Sequence, residues 1–422
     1  MESRISTKPH GFWLPRILSS VRANSAPKTF GRGLRAVGFR ILYAAFFIFA
    51  ATFLLFALLE AFPSLARNPI TQRVKYYAAR ETRTIDPKLV FVYRPGRASF
   101  NDLGFRVNSS HPPYDVMVIG DSYIEIGEND SDTFSERLKA ASGLSIFNLG
   151  RSYYGPYQYL EIDRRYGLAL HPKYVIFSFS SVNDIRDIEE YKRWMKEGIY
   201  YSNLDPSRVS FLRRYANAFM DSGEAIYVAI DKWWLRRPGH ALDPDLGVFR
   251  LGNANVRMTF DSDYWNPTES SQELLASEPW RDLASLIAEF RKLSEDNGIT
   301  PIIMYIPTAI QVYAREFTGE GGSFVQEKMK TQVQFESNEA EALATLASQN
   351  QIHYINLLPV FQCLASRGEL LYYSFASHWN SEGREAAAEY VAVALGADAK
   401  KMSLLDDCNA TSAPGTQLYN RF

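Results

Sequence analysis

Residues 115–127 read Asp-Val-Met-Val-Ile-Gly-Asp-Ser-Tyr-Ile-Glu-Ile-Gly, and this stretch decides the fold. The apolar run 116–119 is short enough to be one buried strand of a parallel sheet. The run stops at Gly120, and the polar residues Asp121 and Ser122 follow where the strand would end. Because ligands bind at the carboxyl ends of strands in open α/β sheets, Ser122 is a candidate nucleophile.

The stretch does not fit the Gly-x-Ser-x-Gly elbow of α/β hydrolases, because Ile124 stands where the second glycine would be. A polar strand-to-helix turn is the alternative role for these residues, with the Asp121 side chain bracing the turn. The rest of the chain therefore has to show whether Ser122 has chemical partners.

Strand-like and helix-like segments alternate after Ser122. The predicted further strands are 144–149, 174–179, 301–306 and 352–357. The predicted helices are 131–141, 156–170, 278–297, 324–349 and 381–395, the first led by Ser131 or Asp132 as cap and closed by Gly143. Five strands that alternate with helices predict a parallel sheet covered on both faces, because each crossover is right-handed.

One long stretch, residues 188–275, breaks the alternation; it is aromatic and loop-like, which predicts an insertion or lid. The predicted organisation is a basic tail at 1–33, an anchor at 34–63, a juxtamembrane segment at 64–110, a catalytic domain at 111–400 and a tail at 401–422. Aromatic residues make up 14% of the chain, which indicates large cores and a membrane segment or, alternatively, a sugar-stacking surface.

Residues 41–59 carry no charge and would span about 28 Å as a helix, so we expect a transmembrane helix. Eight basic residues precede it against the single acid Glu2, which places the N-terminus in the cytoplasm and the later residues outside the inner membrane, in the periplasm or its equivalent. A cleavable signal peptide ending near Ala66 is the alternative. The apolar region is longer than such peptides use, which favours the anchor.

Charge and cysteine content exclude some classes. The chain has 46 basic and 47 acidic residues, so no basic field for nucleic acid is expected. No zinc-binding spacing is present, and we expect neither metal nor cofactor. Cys363 and Cys408 are either a disulfide pair that closes a loop of about 45 residues or two unrelated thiols.

The first three predicted strands end shortly before Ser122, Gly150 and Asn183, in that order. Acyl transfer needs a nucleophilic oxygen, donors for the oxyanion and a base. The backbone N–H groups of Ser122 and Gly150 and the Asn183 amide are candidate donors. The base is expected to be His378, because Ser-His-Trp-Asn-x-x-Gly at 377–383 precedes the last helix and would lie at the same sheet edge.

Taken together, Gly-Asp-Ser, Gly, Asn-Asp and His-Trp-Asn-x-x-Gly resemble the four sequence blocks of the SGNH (GDSL-like) hydrolases over residues 111–396. The resemblance implies a three-layer α/β/α flavodoxin-like fold with Ser122 as nucleophile and His378 as base. It also implies that Ser122, Gly150 and Asn183 form the oxyanion hole. Leu-Tyr-Tyr at 371–373 and Ile-Pro-Thr at 306–308 further resemble extracytoplasmic members, several of which add or remove acyl groups on polysaccharides.

The chain departs from that family at the acid of the triad. Relatives have an aspartate two or three residues before the histidine, where Phe375 and Ala376 stand here. Loss of the orienting acid can lower turnover by around 10⁴ in a serine triad. The site is therefore a Ser-His dyad oriented by a backbone carbonyl, a triad completed by Asp184 or Asp187, or a decayed site.

The expected function is a membrane-anchored serine esterase that forms an acyl-enzyme at Ser122 from an O-acylated cell-surface polysaccharide or a small ester. An acyltransferase with the same site is one alternative, and it would need a membrane partner or a soluble acyl donor. A non-catalytic module that binds glycan with a decayed site is the other.

Overall fold

The apolar run after Asp115 forms the strand Val116–Gly120, and all five of its residues are buried, as expected for a strand covered on both faces. The structure is a computed structural model. It describes residues 43–44, 46–51, 53–54, 76, 83–96, 99–198, 246–260, 265–374, 377–398 and 408.

The described strands, in chain order, are β1 (Arg83–Asp86), β2 (Val90–Tyr93), β3 (Val116–Gly120), β4 (Ile146–Gly150), β5 (Tyr174–Ser180), β6 (Leu246–Leu251), β7 (Ala254–Thr259), β8 (Thr300–Ile306), β9 (Phe317–Gly321) and β10 (His353–Asn356). The described helices are α1 (Ser122–Glu125), α2 (Phe134–Ser142), α3 (Pro156–Ile162), α4 (Asp184–Glu197), α5 (Ser271–Ala276), α6 (Glu278–Asp296), α7 (Ala309–Tyr313), α8 (Ser323–Phe335), α9 (Asn338–Gln349), α10 (Leu358–Ser366) and α11 (Ser381–Ala394).

The central sheet is parallel and has the strand order β10-β8-β5-β3-β4, which confirms the five predicted strands. This is the order of flavodoxin-like sheets, in which the chain reverses direction along the sheet after its second strand. Ligand sites in such sheets lie where the direction reverses, outside the carboxyl ends of the two diverging strands. Here those strands are β3 and β5, which end next to Ser122 and Asn183 respectively.

Two groups of helices pack on this sheet. Helix α2 packs on α11 and β4, whereas α6 packs on α3, α4, α9 and β8. Because the chain runs one way from β3 to β4 and the other way through β5, β8 and β10, right-handed crossovers put the two groups on opposite faces. The core between sheet and helices is apolar, and Trp280, Phe290 and Ile303 are among its buried side chains.

Two small antiparallel sheets were not expected from the sequence. Strands β1 and β2 form a hairpin, and β7, β6 and β9 form a three-stranded sheet in that order. The partner of β6 comes from residues 317–321, so this pairing is distant in sequence. Local patterns carry no information about such a partner, which is why strand prediction missed it.

Several predicted helix boundaries were wrong. Helix α2 begins at Phe134 with Thr133 as its cap, because Ser131 and Asp132 belong to a preceding 3-10 turn. The predicted helix 156–170 remains α-helical only to Ile162 and continues as a π-helix over 163–167 and a 3-10 turn to residue 170. The predicted helix 324–349 is two helices, α8 and α9.

The predicted insertion 188–275 is not loop-like where the structure describes it. Its first ten residues continue α4, residues 246–259 form the β6–β7 hairpin, and α5 lies at its end. Residues 199–245 and 261–264 lie outside the described residues.

The chain divides into two units, 1–58 and 59–422. In the first unit the described residues, which lie between 43 and 54, are helical and their aromatic side chains are exposed. The remainder of the predicted membrane span 41–59 lies outside the described residues. Among the residues that the structure describes, no helix has the length and apolarity to cross a bilayer.

In the second unit Cys363 and Cys408 form a disulfide, with their Cα atoms 5.9 Å apart. Of the two interpretations of the cysteines, pairing is therefore the one that the structure confirms. The bond joins α10 to residue 408, whose neighbours in sequence lie outside the described residues.

Candidate active site

Ser122 lies where β3 turns directly into the short helix α1. Asp121 caps this helix, and its Oδ1 accepts a hydrogen bond from the Tyr123 N–H at 2.8 Å. As the first residue of a helix, Ser122 has a backbone N–H without an intrahelical partner. Its side chain is half-buried. The turn therefore presents both a hydroxyl and a backbone donor at the carboxyl edge of the sheet.

Gly120 makes this sharp turn sterically feasible. A Cβ atom at this position would lie 2.5 Å from Ile124 Cγ1 and 2.8 Å from Ser178 Oγ. Helix α1 thus folds back onto the end of its own strand, and only a residue without a side chain fits beneath it.

His378 contacts the nucleophile directly. Its Nε2 lies 2.8 Å from Ser122 Oγ, although the two residues are 256 positions apart in sequence. The histidine loop is fixed on both sides, because Tyr372 and Trp379 form an antiparallel bridge and the Tyr373 N–H donates to His378 O at 3.1 Å. The hydrogen-bond geometry fits a base that removes the serine proton.

The loop that carries His378 is also tied to the last helix. Asn380 caps α11 through a hydrogen bond that its Oδ1 accepts from the Gly383 N–H at 2.9 Å. The Asn380 Nδ2 donates to Leu370 O at 2.5 Å. The Asn-x-x-Gly part of the motif is thus a helix start, and it fixes the position of the histidine rather than its chemistry.

Tyr123 supports the histidine from the side of α1. The two rings lie 5.0 Å apart between centroids, and the Tyr123 hydroxyl donates to Ser377 O. The buried Trp379 packs edge-on against Tyr123 and donates from Nε1 to Tyr123 O at 3.2 Å. Sequence analysis did not single out Tyr123, because an aromatic residue after the serine has the same pattern as any core residue.

A charged cluster joins this loop to α2. Asp132 accepts hydrogen bonds from Arg384, from Arg137 and, at 2.8 Å, from Ser381 Oγ. Burial raises the pKa of Asp132, but Arg384 and the other donors outweigh it and hold the pKa below its ordinary value. Because Arg384 also donates to Trp379 O at 2.9 Å, the ion pair fixes the residue next to His378.

Asn183 lies at the end of the neighbouring strand and is held by acidic residues. Its Nδ2 donates to Asp187 Oδ2, and its Oδ1 accepts from Ser180 Oγ at 3.1 Å. The amide also lies near enough to Asp121 to lower the pKa of that carboxyl. The Asn183 amide thus lies beside Asp121, the residue before Ser122, and its role as an oxyanion donor stays a prediction.

Three carboxyl groups around Asn183 hold protons more strongly than usual. Burial raises the pKa of Asp121 to about 7, although the hydrogen bonds from the Tyr123 N–H and the Asn183 amide lower it. Burial likewise raises the pKa of Asp187 to about 7, and burial together with the charges of Asp121 and Asp187 raises that of Asp184 well above its ordinary value. Near neutral pH the three carboxyl groups together therefore carry fewer than three negative charges. A new negative charge that forms beside them is repelled less for that reason.

The structure does not support the predicted role of Gly150. Its N–H donates to Asn148 Oδ1 at 2.8 Å, and both groups are buried. A Cβ atom at Gly150 would lie 2.6 Å from the Glu125 N atom, so the glycine allows α1 to pack closely on β4. Sequence analysis found the glycine but could not see the direction of its N–H.

The predicted supporting acids Asp184 and Asp187 accept hydrogen bonds from residues other than the histidine. Asp184 accepts from Tyr159 Oη at 2.8 Å and from the Ser180 N–H at 2.9 Å, and Asp187 accepts from Asn183. Both belong to α4, so they were close to the site, but their hydrogen bonds brace β5 and Asn183. Phe375 and Ala376 lie outside the described residues.

A small pocket with about 300 Å³ of empty space, part of it open to solvent, adjoins the residues that precede Asn183 and His378. It is lined by residues from four loops and strands: Val182, Met258, Thr259, Phe260, Thr308, Ala309, Ile310, Tyr373 and Ser377. In the part of the chain that the structure describes, no group of three or more His, Cys, Asp or Glu side chains is arranged to hold a metal ion.

A family model described as "SGNH hydrolase-like domain, acetyltransferase AlgX" matches residues 263–418. That range contains His378, whereas Ser122 and Asn183 precede it. No curated protein matches the chain.

Three solved structures are similar at low identity. A GDSL-like lipase from Bacteroides thetaiotaomicron is 14% identical with a TM-score of 0.31, over 67% of this chain and 87% of that chain. A catalytic mutant of the acetylxylan esterase Axe2 from Geobacillus stearothermophilus is 10% identical with a TM-score of 0.30, over 75% and 100%. The acetyl xylan esterase Est2A from Butyrivibrio proteoclasticus is 10% identical with a TM-score of 0.28, over 71% and 66%.

The family match supplies the histidine-bearing half, and the parallel sheet brings the Gly-Asp-Ser turn against it. Residues 263–418 are therefore similar to an SGNH hydrolase-like domain, and the structure brings Ser122, which lies outside that range, against its histidine.

Proposed function

We propose that the chain is a serine enzyme that cleaves acyl esters through a covalent intermediate at Ser122. The observation that carries this proposal is the 2.8 Å contact between Ser122 Oγ and His378 Nε2. A serine hydroxyl is a weak nucleophile at neutral pH and needs an adjacent base to become reactive.

In the first half-reaction Ser122 Oγ attacks the acyl carbonyl carbon while His378 Nε2 takes the hydroxyl proton. The carbonyl π electrons move onto its oxygen, for which we propose the Ser122 N–H and, once it turns from its acidic partners, the Asn183 amide as donors. When the tetrahedral intermediate collapses, the bond to the alcohol oxygen breaks and that oxygen takes the proton from His378. In the second half-reaction water attacks the acyl carbon while His378 takes its proton. The bond to Ser122 Oγ then breaks, Oγ takes the proton back, and the carboxylic acid leaves.

The substrate that we propose is an O-acylated cell-surface polysaccharide or a small ester, met outside the cytoplasmic membrane. The basic tail before residues 41–59 supports an outside location under the positive-inside rule. The Cys363–Cys408 disulfide agrees with it, because such bonds persist in oxidising compartments.

An acyltransferase is the second candidate, and the family description favours it because it names an acetyltransferase. A sugar hydroxyl would then replace water in the second half-reaction, with a membrane partner or a soluble molecule as acyl donor. Incubation with an activated acetyl ester and a sugar acceptor separates the two. Free acetate indicates the hydrolase, and acetylated sugar indicates the transferase.

A fluorophosphonate probe tests whether the site is catalytic. We expect an adduct on Ser122 in full-length protein, absent in Ser122→Ala and strongly slowed in His378→Ala. The matched control is His353→Ala, since His353 lies on β10 away from this edge. Folded protein that takes no label but binds glycan would instead show the non-catalytic module that Phe375 and Ala376 suggest.

A further inference from the structure

The pocket lined by Val182 and Ser377 is placed between the two halves of the proposed catalytic site. Val182, on one wall, precedes the oxyanion donor Asn183, and Ser377, on the other, precedes His378. The pocket therefore adjoins both loops that carry the proposed catalytic groups.

We propose that this pocket holds the acyl group of the ester, and that Met258 and Ala309 limit its length. This inference rests on the proposed esterase or transferase function. An ester carbon at Ser122 has two substituents to place, the acyl chain and the alcohol. A sugar polymer is too large for a pocket of this size, so the alcohol takes the solvent side and the acyl chain takes the pocket.

The chemistry of the lining agrees with a short alkyl chain. Met258, Phe260 and Ile310 are 1%, 3% and 0% exposed, so the inner wall is apolar and almost fully covered. The polar members of the lining, such as Thr308, already bond within the protein, since Thr308 Oγ1 donates to Asn266 Oδ1 and accepts from the Gln311 N–H. An alkyl group buried here loses no hydrogen bond to water, and it leaves the Thr308 hydroxyl paired.

The far wall comes from outside the central sheet. Met258 and Phe260 belong to β7 and the residue after it, and β7 is attached to the histidine loop by the Thr259 N–H, which donates to Ser374 O at 2.8 Å. Phe260 is fixed further by ring contacts with Phe249 and Trp265. A flexible methionine next to a fixed ring makes Met258 the side chain whose removal lengthens the pocket most simply.

Acyl length is measured with p-nitrophenyl acetate, butyrate and octanoate, using the initial burst of p-nitrophenol from full-length protein. The burst reports acylation alone, so it serves a hydrolase and a transferase equally. We expect acetate or butyrate to acylate wild type faster than octanoate. Met258→Ala should raise the butyrate-to-acetate ratio about tenfold or more, and Ala309→Leu should lower it by a similar factor, because one methylene in an apolar pocket changes specificity by about 10-fold to 200-fold.

Met329→Ala is the matched control, since Met329 is a buried methionine on α8 that does not line the pocket. Its ratio should equal that of wild type. Ratios within twofold of wild type in both Met258→Ala and Ala309→Leu, with fluorophosphonate still labelling Ser122, would overturn the acyl pocket alone. Absence of both burst and label in wild type would overturn the catalytic proposal and this inference with it.

Discussion

Tyr123 and His378 form a tilted ring pair, with centroids 5.0 Å apart and planes inclined by 31°, directly beside the contact between His378 and Ser122. Tyr123, the residue after Ser122, thus supports His378. The Tyr123 hydroxyl also donates to Ser377 O. One side chain therefore contacts the ring of His378 and holds the backbone of the residue before it.

We predict that Tyr123→Phe lowers kcat/KM by about tenfold with little change in KM. The ring stays, but Ser377 O loses its donor, and a buried group left unpaired costs about 1–3 kcal/mol. Ester hydrolysis and urea unfolding are measured on the same preparations. Tyr154→Phe is the matched control, because its buried hydroxyl donates to Phe91 O on β2. Equal losses of activity in both variants would contradict a specific role for Tyr123.

Asp132→Asn should destabilise the protein by about 3–5 kcal/mol, because it leaves the buried guanidinium of Arg384 without its charge partner. Urea unfolding at pH 7 measures this. Asp282→Asn breaks an exposed pair with Lys192 and should change stability by less than about 1 kcal/mol. Since the folded state lowers the pKa of Asp132, the contribution of this ion pair is present at neutral pH and is lost as the pH falls.

The buried Asp163 should give the unfolding free energy the opposite dependence on pH. Both oxygens of its buried carboxyl lack a hydrogen-bond partner, and burial raises its pKa to about 7, against the charge of Arg164. A pKa raised by folding stabilises the protein in acid, and that stabilisation is lost as the pH rises from about 4 towards 7. Wild type should therefore lose up to roughly 4 kcal/mol of unfolding free energy over this range through Asp163.

Asp163→Asn removes this titration. We compare the change in urea midpoint between pH 5 and pH 8 in wild type, in Asp163→Asn and in Asp102→Asn, an exposed control. Burying the amide of Asp163→Asn changes stability by the same amount at both pH values, so this effect cancels when the two midpoints of one variant are subtracted. A pH dependence in Asp163→Asn as steep as that of wild type would show that other groups carry it.

Reduction of Cys363–Cys408 should lower the unfolding free energy by about 4 kcal/mol, because the disulfide closes a loop of 45 residues in the unfolded chain. Urea unfolding with and without dithiothreitol measures it. The double variant Cys363→Ala and Cys408→Ala should match the reduced wild type and be insensitive to reductant. No difference between oxidised and reduced wild type would mean that the bond does not constrain the unfolded state.

The sequence by itself determined the strands of the central sheet and pointed to Ser122 and His378 as a pair. Strand identity follows from short buried apolar runs such as 116–119, and a parallel sheet covered on both faces then follows from right-handed crossovers. Ser122 and His378 stand in local settings, a strand end and a helix start, that can be recognised from their immediate neighbours.

Only the tertiary structure decided what those settings do. The direction of the Gly150 N–H, the hydrogen bonds of Asp184 and Asp187, and the packing of Tyr123 on His378 depend on contacts between residues far apart in sequence. The pairing of β6 with β9 is of the same kind. Apolar periodicity indicates which face of a helix or strand is buried. It does not indicate which residues pack on that face, and those residues decide the chemistry of the site.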